Sequence, residues 1–498
     1  MIVYDKHSLS SSNQNFECTT PDVAELPSLR NGGSPMQFDA NDQIFRTYRL
    51  AQSCTAEYGN IFALTPGQEV ADIQAQMTIT MNRVNGVFER DLAVTMEFVP
   101  DNDTLIFYGS TTADPWSNEW NTKTAQTIDA RIGVNNYDIG HNFNTTGGGN
   151  AGCIGCICST GKGSAYTSPS NGVPSGDTFD IDYVAHEIGH QMGANHTFSM
   201  SNEGTGANME PGSGSTIMGY AGITSQDIQP NSDAYFHAIS IQQVTNNIKA
   251  KTCSSNIVTG NAVPTASAGA DFTVPKSTPF MLTGSGSDAN GDALTYNWEQ
   301  FDNAASTATG ASSAASATRT SGPTFRSYNS STSPVRYFPR MASVLTGATT
   351  TAGTEITVEA LPSVARTMNF RLTVRDNRAG GSANNSDDMI ATVNGTAGPF
   401  TVNSPNTAVS FVGGSSQTIT WAVAGTTANG VNCANVDILL STDAGTTWST
   451  LLAATPNDGT QAVTIPNTPG TTNRIMVKGT NHIFFDVSNT NFTITAGA

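Results

Sequence analysis

Residues 184–198 read VAHEIGHQMGANHTF, and this stretch holds His186, His190 and His196, three of the seven histidines in a chain of 498 residues. His186 and His190 are four apart, so on a helix their imidazoles share one face and can grip one ion. The segment FDIDYVAHEIGHQM suits that helix: Asp177 or Asp180 can cap it, and Ile181, Val184, Ile188 and Met192 form an apolar stripe. Gly193 can take positive φ, end the helix and turn the chain back, so that His196 approaches the same point from the other side. Three neutral imidazoles with an open fourth position describe a catalytic zinc site, because structural zinc sites usually close all four. Glu187, next to the first histidine, is placed to take a proton from a water at the metal.

The extended pattern His-Glu-x-x-His-x-x-Gly-x-x-His, followed by STIMGYAG (215–222), resembles the metzincin metalloproteases. Within them it is similar to adamalysin/reprolysin-type enzymes, in particular secreted bacterial members that carry C-terminal β-modules. FRTYRLA (45–51), YDIGHNF (137–143), AGCIGCIC (151–158) and NSDAYFHAISIQQV (231–244) carry the likeness, while NHTF (195–198) also echoes the pappalysin type. The resemblance implies a zinc endopeptidase in which His186, His190 and His196 bind the metal and Glu187 is the general base. It implies that Met218 forms a methionine turn under the metal, and that Tyr220 either donates to the developing oxyanion or packs. It also implies that Ala151, Gly152, Cys153, Ile154 and Gly155 lie on an edge strand that pairs with extended substrate. A Cys158–Cys253 disulfide and a propeptide ending within residues 1–43 follow from the same likeness. Two other readings remain: an adhesin whose β-modules act while the protease domain is inert, and a zinc amidase. The intact Glu187 disfavours the first, since an inert domain has no need of it.

Composition sets the frame. Forty acidic against 22 basic residues give a formal charge of −18, which disfavours nucleic acid and anionic membrane surfaces as partners. No run of eighteen apolar residues is present to span a membrane. The start, MIVYDKHSLS, has no apolar core of a signal peptide, so a longer precursor or a trimmed chain is expected, and secretion is implied by the likeness alone. Of seven cysteines, Cys433 stands apart as a small hydrophobe, and Cys153, Cys156 and Cys158 offer only a weak second metal pattern. Six cysteines remain up to Cys253, enough for three disulfides, so Cys18 is expected to be disulfide-bonded, leaving the metal open to water. The alternative for Cys18 is a latency cysteine on the metal.

The length requires several domains. Apolar residues at helical spacing mark 66–92, a second helix falls near 123–136, and a last one lies near 233–250. Strands between them fit an open mixed sheet with the zinc helix packed on it. From 256 the pattern changes to short alternating strands between Gly, Asn and Asp turns. The chain is therefore read as multidomain: an N-terminal segment (1–43), an α+β metzincin-type catalytic domain (44–255), then all-β sandwich modules. These are a polycystic-kidney-disease-type, Ig-like module (256–398) with a long Ser/Ala/Thr-rich insertion around 303–335, expected as a surface loop, and a second sandwich (399–498). Asp288, Asn290 and Asp292 offer a calcium-loop spacing with Glu299 beyond, although Ala293 replaces the glycine such a loop requires. An ordinary Asn-Gly turn explains them equally. Because every candidate catalytic residue precedes 256, a fragment ending there is expected to fold and act on small peptides.

Overall fold

The structure is a computed structural model and describes residues 16–23, 39–169 and 171–497. Much of the segment 1–43 lies outside the described residues. The first strand, β1 (Ile44–Cys54), begins where FRTYRLA places it and organises a mixed sheet. It runs parallel to β2 (Val94–Phe98) and β3 (Ile139–Phe143), and its start pairs antiparallel with Ser255–Val258. Two short strands, β4 (Gly149–Asn150) and β5 (Ala165–Thr167), finish the sheet in the order β2-β1-β3-β5-β4, with β4 antiparallel at the edge. The helices follow the apolar spacing: α1 (Ala56–Phe62), α2 (Glu69–Leu92), α3 (Trp120–Arg131), α4 (Ala185–Met192) and α5 (Ala238–Lys249). On α2, Ile73, Met77, Met81 and Val84 face the core in the spacing that marked the helix. The second helix ends earlier than 136, because Gly133 sits at positive φ and Asn136 closes a turn onto its carbonyl. One apolar core joins β1, α2 and α4, with Tyr48, Phe88, Phe143, Ile188 and Met218 all buried in it.

The rest of the chain is β-structure. A four-stranded sheet, Phe272–Pro275, Asn384–Asn394, Arg366–Arg375 and Thr295–Gln300 in that spatial order, surrounds a core with Trp298, Phe325, Phe338 and Phe370. Further along, a three-stranded sheet and a sheet built on Asn435–Ser441 and Gly470–Gly479 enclose Trp421, Ile438, Val477 and Phe484. Cys433 is free and buried there, as a small hydrophobe would be. An α+β unit followed by β-sandwich modules is thus the fold. Among the described residues, no helix is long and apolar enough to cross a membrane.

The insertion around 303–335 is not a free surface loop. It lies against the chain between α4 and α5: Ala304 N donates to Asn208 O (2.9 Å), Gly310 N to Met200 O (2.8 Å) and Gly212 N to Ser313 O (3.2 Å). Asn329 Nδ2 donates to Asp233 (2.9 Å), and Arg326 reaches Gln229 and Asp233. The Ser/Ala/Thr richness that reads as solvent-facing instead supplies small residues and main-chain groups for close packing. Two buried charges tie the units further. Arg375 Nε meets Asp91 at 2.9 Å with both side chains fully buried, and Asp91 also accepts from Phe236 N (2.8 Å). Glu299, fully buried, accepts from Ala238 N (2.9 Å) at the first turn of α5, where a carboxylate favours the helix dipole.

These contacts reverse the expectation for a fragment ending at 256. Cutting there leaves Asp91 without Arg375, the start of α5 without Glu299, and the 199–233 segment without its main-chain partners. Asp91 keeps its pairing with Arg90, so the loss falls chiefly on packing and on the main-chain bonds to the 199–233 segment. The fragment is expected to lose cooperative unfolding, checked by urea denaturation; a fragment that unfolds like the full chain would refute this.

Candidate metal centre

The zinc-motif helix is entered through a π-helical segment, Thr178–Val184, before α4 begins at Ala185. Asp177 makes no side-chain capping bond and instead pairs with Arg83 on α2. The apolar stripe holds, with Ile181, Val184, Ile188 and Met192 all buried. Gly193 ends the helix at φ 126, and the N–H groups of Gly193 and Ala194 both return to Gly189 O at 3.0 Å. That turn sends His196 back toward α4. Gly189 matters for a different reason: a Cβ there would lie 2.6 Å from Met218 Sδ, so the helix can rest on the STIMGYAG turn only without a side chain.

The three histidines are brought together. His190 Nε2 lies 3.1 Å from both His186 Nε2 and His196 Nε2. Each outer nitrogen has an acceptor, so each Nδ1 donates: His186 to Ile217 O (2.7 Å), His190 to Ala194 O (2.7 Å) and His196 to Glu203 Oε2 (3.1 Å). Asp22 Oδ1 lies 3.2 Å from the same His196 Nδ1. With the protons outward, the Nε2 lone pairs all face one point. Lone pairs that close repel unless a cation stands among them, and nitrogens held about 2.0–2.1 Å from a tetrahedral zinc are spaced roughly 3.3 Å apart. The residues present fit the metal.

Burial and mutual repulsion push the His186 pKa well below its ordinary value and that of His190 down to about 3, the neutral state a ligand needs. For His196 burial acts the same way but is outweighed by its hydrogen bonds to Asp22, Cys18 and Glu203, which favour the protonated ring and raise it. The two carboxylates split: burial raises Glu203 to about 7, while for Asp22 the His196 bond overcomes burial and holds it below the usual range. Glu187 is fully buried and raised to about 7, chiefly by burial. Its Oε2 accepts from Thr20 Oγ1 (3.2 Å), and among the described residues the buried Oε1 has no hydrogen-bond partner.

Cys18 was expected in a disulfide and is not in one. Its sulfur joins the three histidines in a single cluster, all four ligand atoms within 4.8 Å of one another. The parity argument fails because Cys153 pairs with its neighbour Cys156, which leaves Cys54 buried and free in the core. Cys158 does bond Cys253. Burial and the Glu187 charge push the Cys18 thiol up to about 11; a divalent cation held by the histidines would favour the thiolate instead.

Residues 16–23 form a strap across the centre. Gly149 N donates to Glu17 O (3.0 Å) and Thr19 N to Gly149 O (2.9 Å), a parallel bridge between Cys18 and the edge strand β4. Phe16 stacks on Tyr183 with ring centroids 4.0 Å apart. Thr20 Oγ1 also accepts from Ala151 N (2.7 Å), and Tyr220 OH donates to Cys18 O (3.1 Å). The edge strand is therefore Gly149–Asn150. Residues 151–158, expected as that strand, form turns closed by Cys153–Cys156, because Gly152 and Gly155 both take positive φ. This loop serves α4: Gly155 N and Ile157 N donate to the His190 and Gln191 carbonyls. Asp22, Glu203 and Thr20 carry no motif, and nothing in the sequence singled them out.

Near residue 290 the side chains divide. Asp288 and Asp292 gather with Asp376, but Asn290 accepts from Ala262 N, Arg378 lies 3.4 Å from Asp292, and Glu299 faces His237 in the interior. Gly291 at positive φ marks an Asn-Gly turn. Nothing at this turn supports calcium.

A mixed sheet, a helix bearing His-Glu-x-x-His and a third histidine returned by a glycine turn define a metallopeptidase domain. Residues 45–248 match the family described as Metallo-peptidase family M12B Reprolysin-like. A match to that family supports a metalloprotease and implies zinc, and the three histidines could hold it. No curated protein matches the chain. Among solved structures, "Anomalous substructure of Titin-A168169" is 12% identical over 47% of this chain and 98% of that one, with a TM-score of 0.14. A chimeric titin Z1Z2 functionalized with a KLER exogenous peptide from decorin is 9% identical over 48% and 99%, TM-score 0.15. Chicken CNTN1 FN1-FN3 domains are 13% identical over 48% and 69%, TM-score 0.16. Scores this low carry no structural conclusion.

His141, outside the metal cluster, links the sheet to α4. Gln191 Nε2 donates to Gly140 O (3.0 Å), so its Oε1 accepts from His141 Nδ1 (3.0 Å), and Thr167 Oγ1 then donates to His141 Nε2 (2.8 Å). Burial lowers the His141 pKa to about 4. Below its ordinary pKa of about 6.5 the unfolded chain takes this proton and the folded one does not, so stability falls between pH 6.5 and 4 by on the order of 3 kcal/mol. His141→Gln is expected to be less stable than wild type at pH 7, with the gap narrowing by pH 4.5. Urea unfolding at both values checks it; a constant gap would contradict the assignment.

Proposed function

We propose that this chain is a secreted metzincin-type zinc endopeptidase held latent by its own N-terminal segment. The convergence of three histidine Nε2 atoms beside Glu187 carries this reading. The division into catalytic (44–255), Ig-like (256–398) and second sandwich (399–498) units, with 1–43 as a pro-segment, is part of the proposal. Bound by His186, His190 and His196, zinc supplies Lewis acidity toward a peptide carbonyl and a water.

The chain's own groups do the rest. Glu187, raised toward neutrality by burial, accepts a proton from the attacking water and passes it to the leaving amine. Tyr220, already donating to a main-chain carbonyl beside the cluster, does the same for the scissile carbonyl as negative charge develops. Met218 and Gly189 set the floor on which the helix rests. The Gly149–Asn150 edge, now paired with the strap, is the strand to which extended peptide adds, which favours protein substrates. Cys18 would hold the same metal as a fourth ligand, and Thr20 donates to the general base. With strap and sulfur in place, water and substrate have no access, so activity requires the strap to leave. The excess of acidic residues supports a protein partner over nucleic acid.

With the segment before residue 39 removed from both proteins, Glu187→Gln is expected to retain zinc and fold while losing at least about 10²-fold in kcat on a peptide relative to wild type; undiminished turnover in the metal-loaded variant would remove the assigned role. Cys18→Ala, or proteolytic removal of the segment before residue 39, is expected to raise activity that a chelator then abolishes. Equal activity of Cys18→Ala and wild type before any processing would show that the sulfur does not hold the enzyme latent.

A further inference from the structure

Glu210 is a fully buried carboxylate in the segment between His196 and the STIMGYAG turn, and among the described residues no cation pairs with it. Its partners are all neutral donors. Oε2 accepts from Thr197 Oγ1 (2.7 Å) and Thr216 Oγ1 (2.5 Å); Oε1 accepts from Ser215 N (2.9 Å) and lies 3.2 Å from Ser215 Oγ. Burying a carboxylate is costly, and packing alone is met more cheaply by a neutral side chain. What a carboxylate adds is geometry: it only accepts, so every group around it must point a proton inward, and bonds to a charged acceptor are short and strong.

The groups it fixes lie next to the metal cluster. Thr197 follows His196 directly, and its N–H donates to Met218 O (3.0 Å) while its carbonyl accepts from Glu210 N (2.9 Å). Ser215 and Thr216 precede Ile217, whose carbonyl accepts from His186 Nδ1 (2.7 Å). One carboxylate thus joins the residue after the third histidine to the turn that orients the first. The β-module backs this turn from the far side, with Ser327 O 3.3 Å from Ser215 Oγ.

We infer that Glu210 is a positioning residue for the metal, holding His186 and His196 at the separation that lets both meet one ion. The inference rests on the reading that these histidines hold zinc. Groups that orient metal ligands typically alter affinity about 10–100-fold when lost.

The test uses the full chain and zinc itself. Zinc dissociation constants are measured by competition with a chelator for wild type, Glu210→Gln, Thr197→Val and Thr80→Val. Thr80 is a buried control, since among the described residues its hydroxyl on α2 has no hydrogen-bond partner. Glu210→Gln and Thr197→Val are expected to weaken zinc binding at least tenfold, with Thr80→Val unchanged. In parallel the melting temperatures of the metal-free proteins are compared. A merely structural role lowers metal-free stability and leaves zinc affinity alone, which would overturn the inference. If Glu210→Gln does not fold, the near-isosteric Thr197→Val decides by the same criterion. Wild type that binds no zinc would instead overturn the reading of the site.

Discussion

Three imidazole lone pairs aimed at one point are the constraint on which the rest of this domain depends. Left alone they repel, and each ring would turn away. Three separate acceptors prevent this: a carbonyl of the STIMGYAG turn for His186, a carbonyl just past the helix for His190, and carboxylates of the strap and of Glu203 for His196. None of these acceptors is on the helix that carries the motif. The helix supplies only the four-residue spacing, and the fold must deliver everything else to within a few tenths of an ångström.

That demand explains why so much of the chain is committed to one small region. The turn beneath α4 is held by Glu210 and by its contact with Met218, and the segment leading to it is pinned by main-chain bonds from the first β-module. The buried pair Asp91–Arg375 and the carboxylate of Glu299 anchor the same module to the ends of α2 and α5. α5 in turn packs on α4, and Asn247 donates to Met192 O at the end of the zinc-motif helix. The β-module is therefore continuous with the support of the site, and the strap closes the remaining open face.

What could be read from sequence follows the range of the interactions. Helical periodicity placed α2, α4 and α5, and glycine chemistry placed the turn at Gly193, because these are local. Cys158–Cys253 was legible only through likeness to a family. The edge strand was misplaced by two residues, since Gly152 and Gly155 allow turns as readily as a strand and no local signal chose between them. Cys18 was misread because counting thiols ignores that neighbours in Cys-x-x-Cys can pair with each other. The insertion near 303–335 looked solvent-facing from composition, yet small residues suit tight interfaces as well as loops. Glu203, Glu210 and Thr20 were invisible, because a lone polar residue gains its meaning only from what folds onto it.

The central claim is that one metal sits among His186, His190 and His196 with Cys18 as its fourth ligand in the full chain. X-ray absorption at the zinc edge reads this directly. The account predicts one bound zinc with three nitrogen neighbours near 2.0–2.1 Å and one sulfur near 2.3 Å, the sulfur being replaced by a light atom in Cys18→Ser. A zinc shell of light atoms only in the unmodified chain, or zinc retained after all three histidines are replaced by alanine, would contradict it.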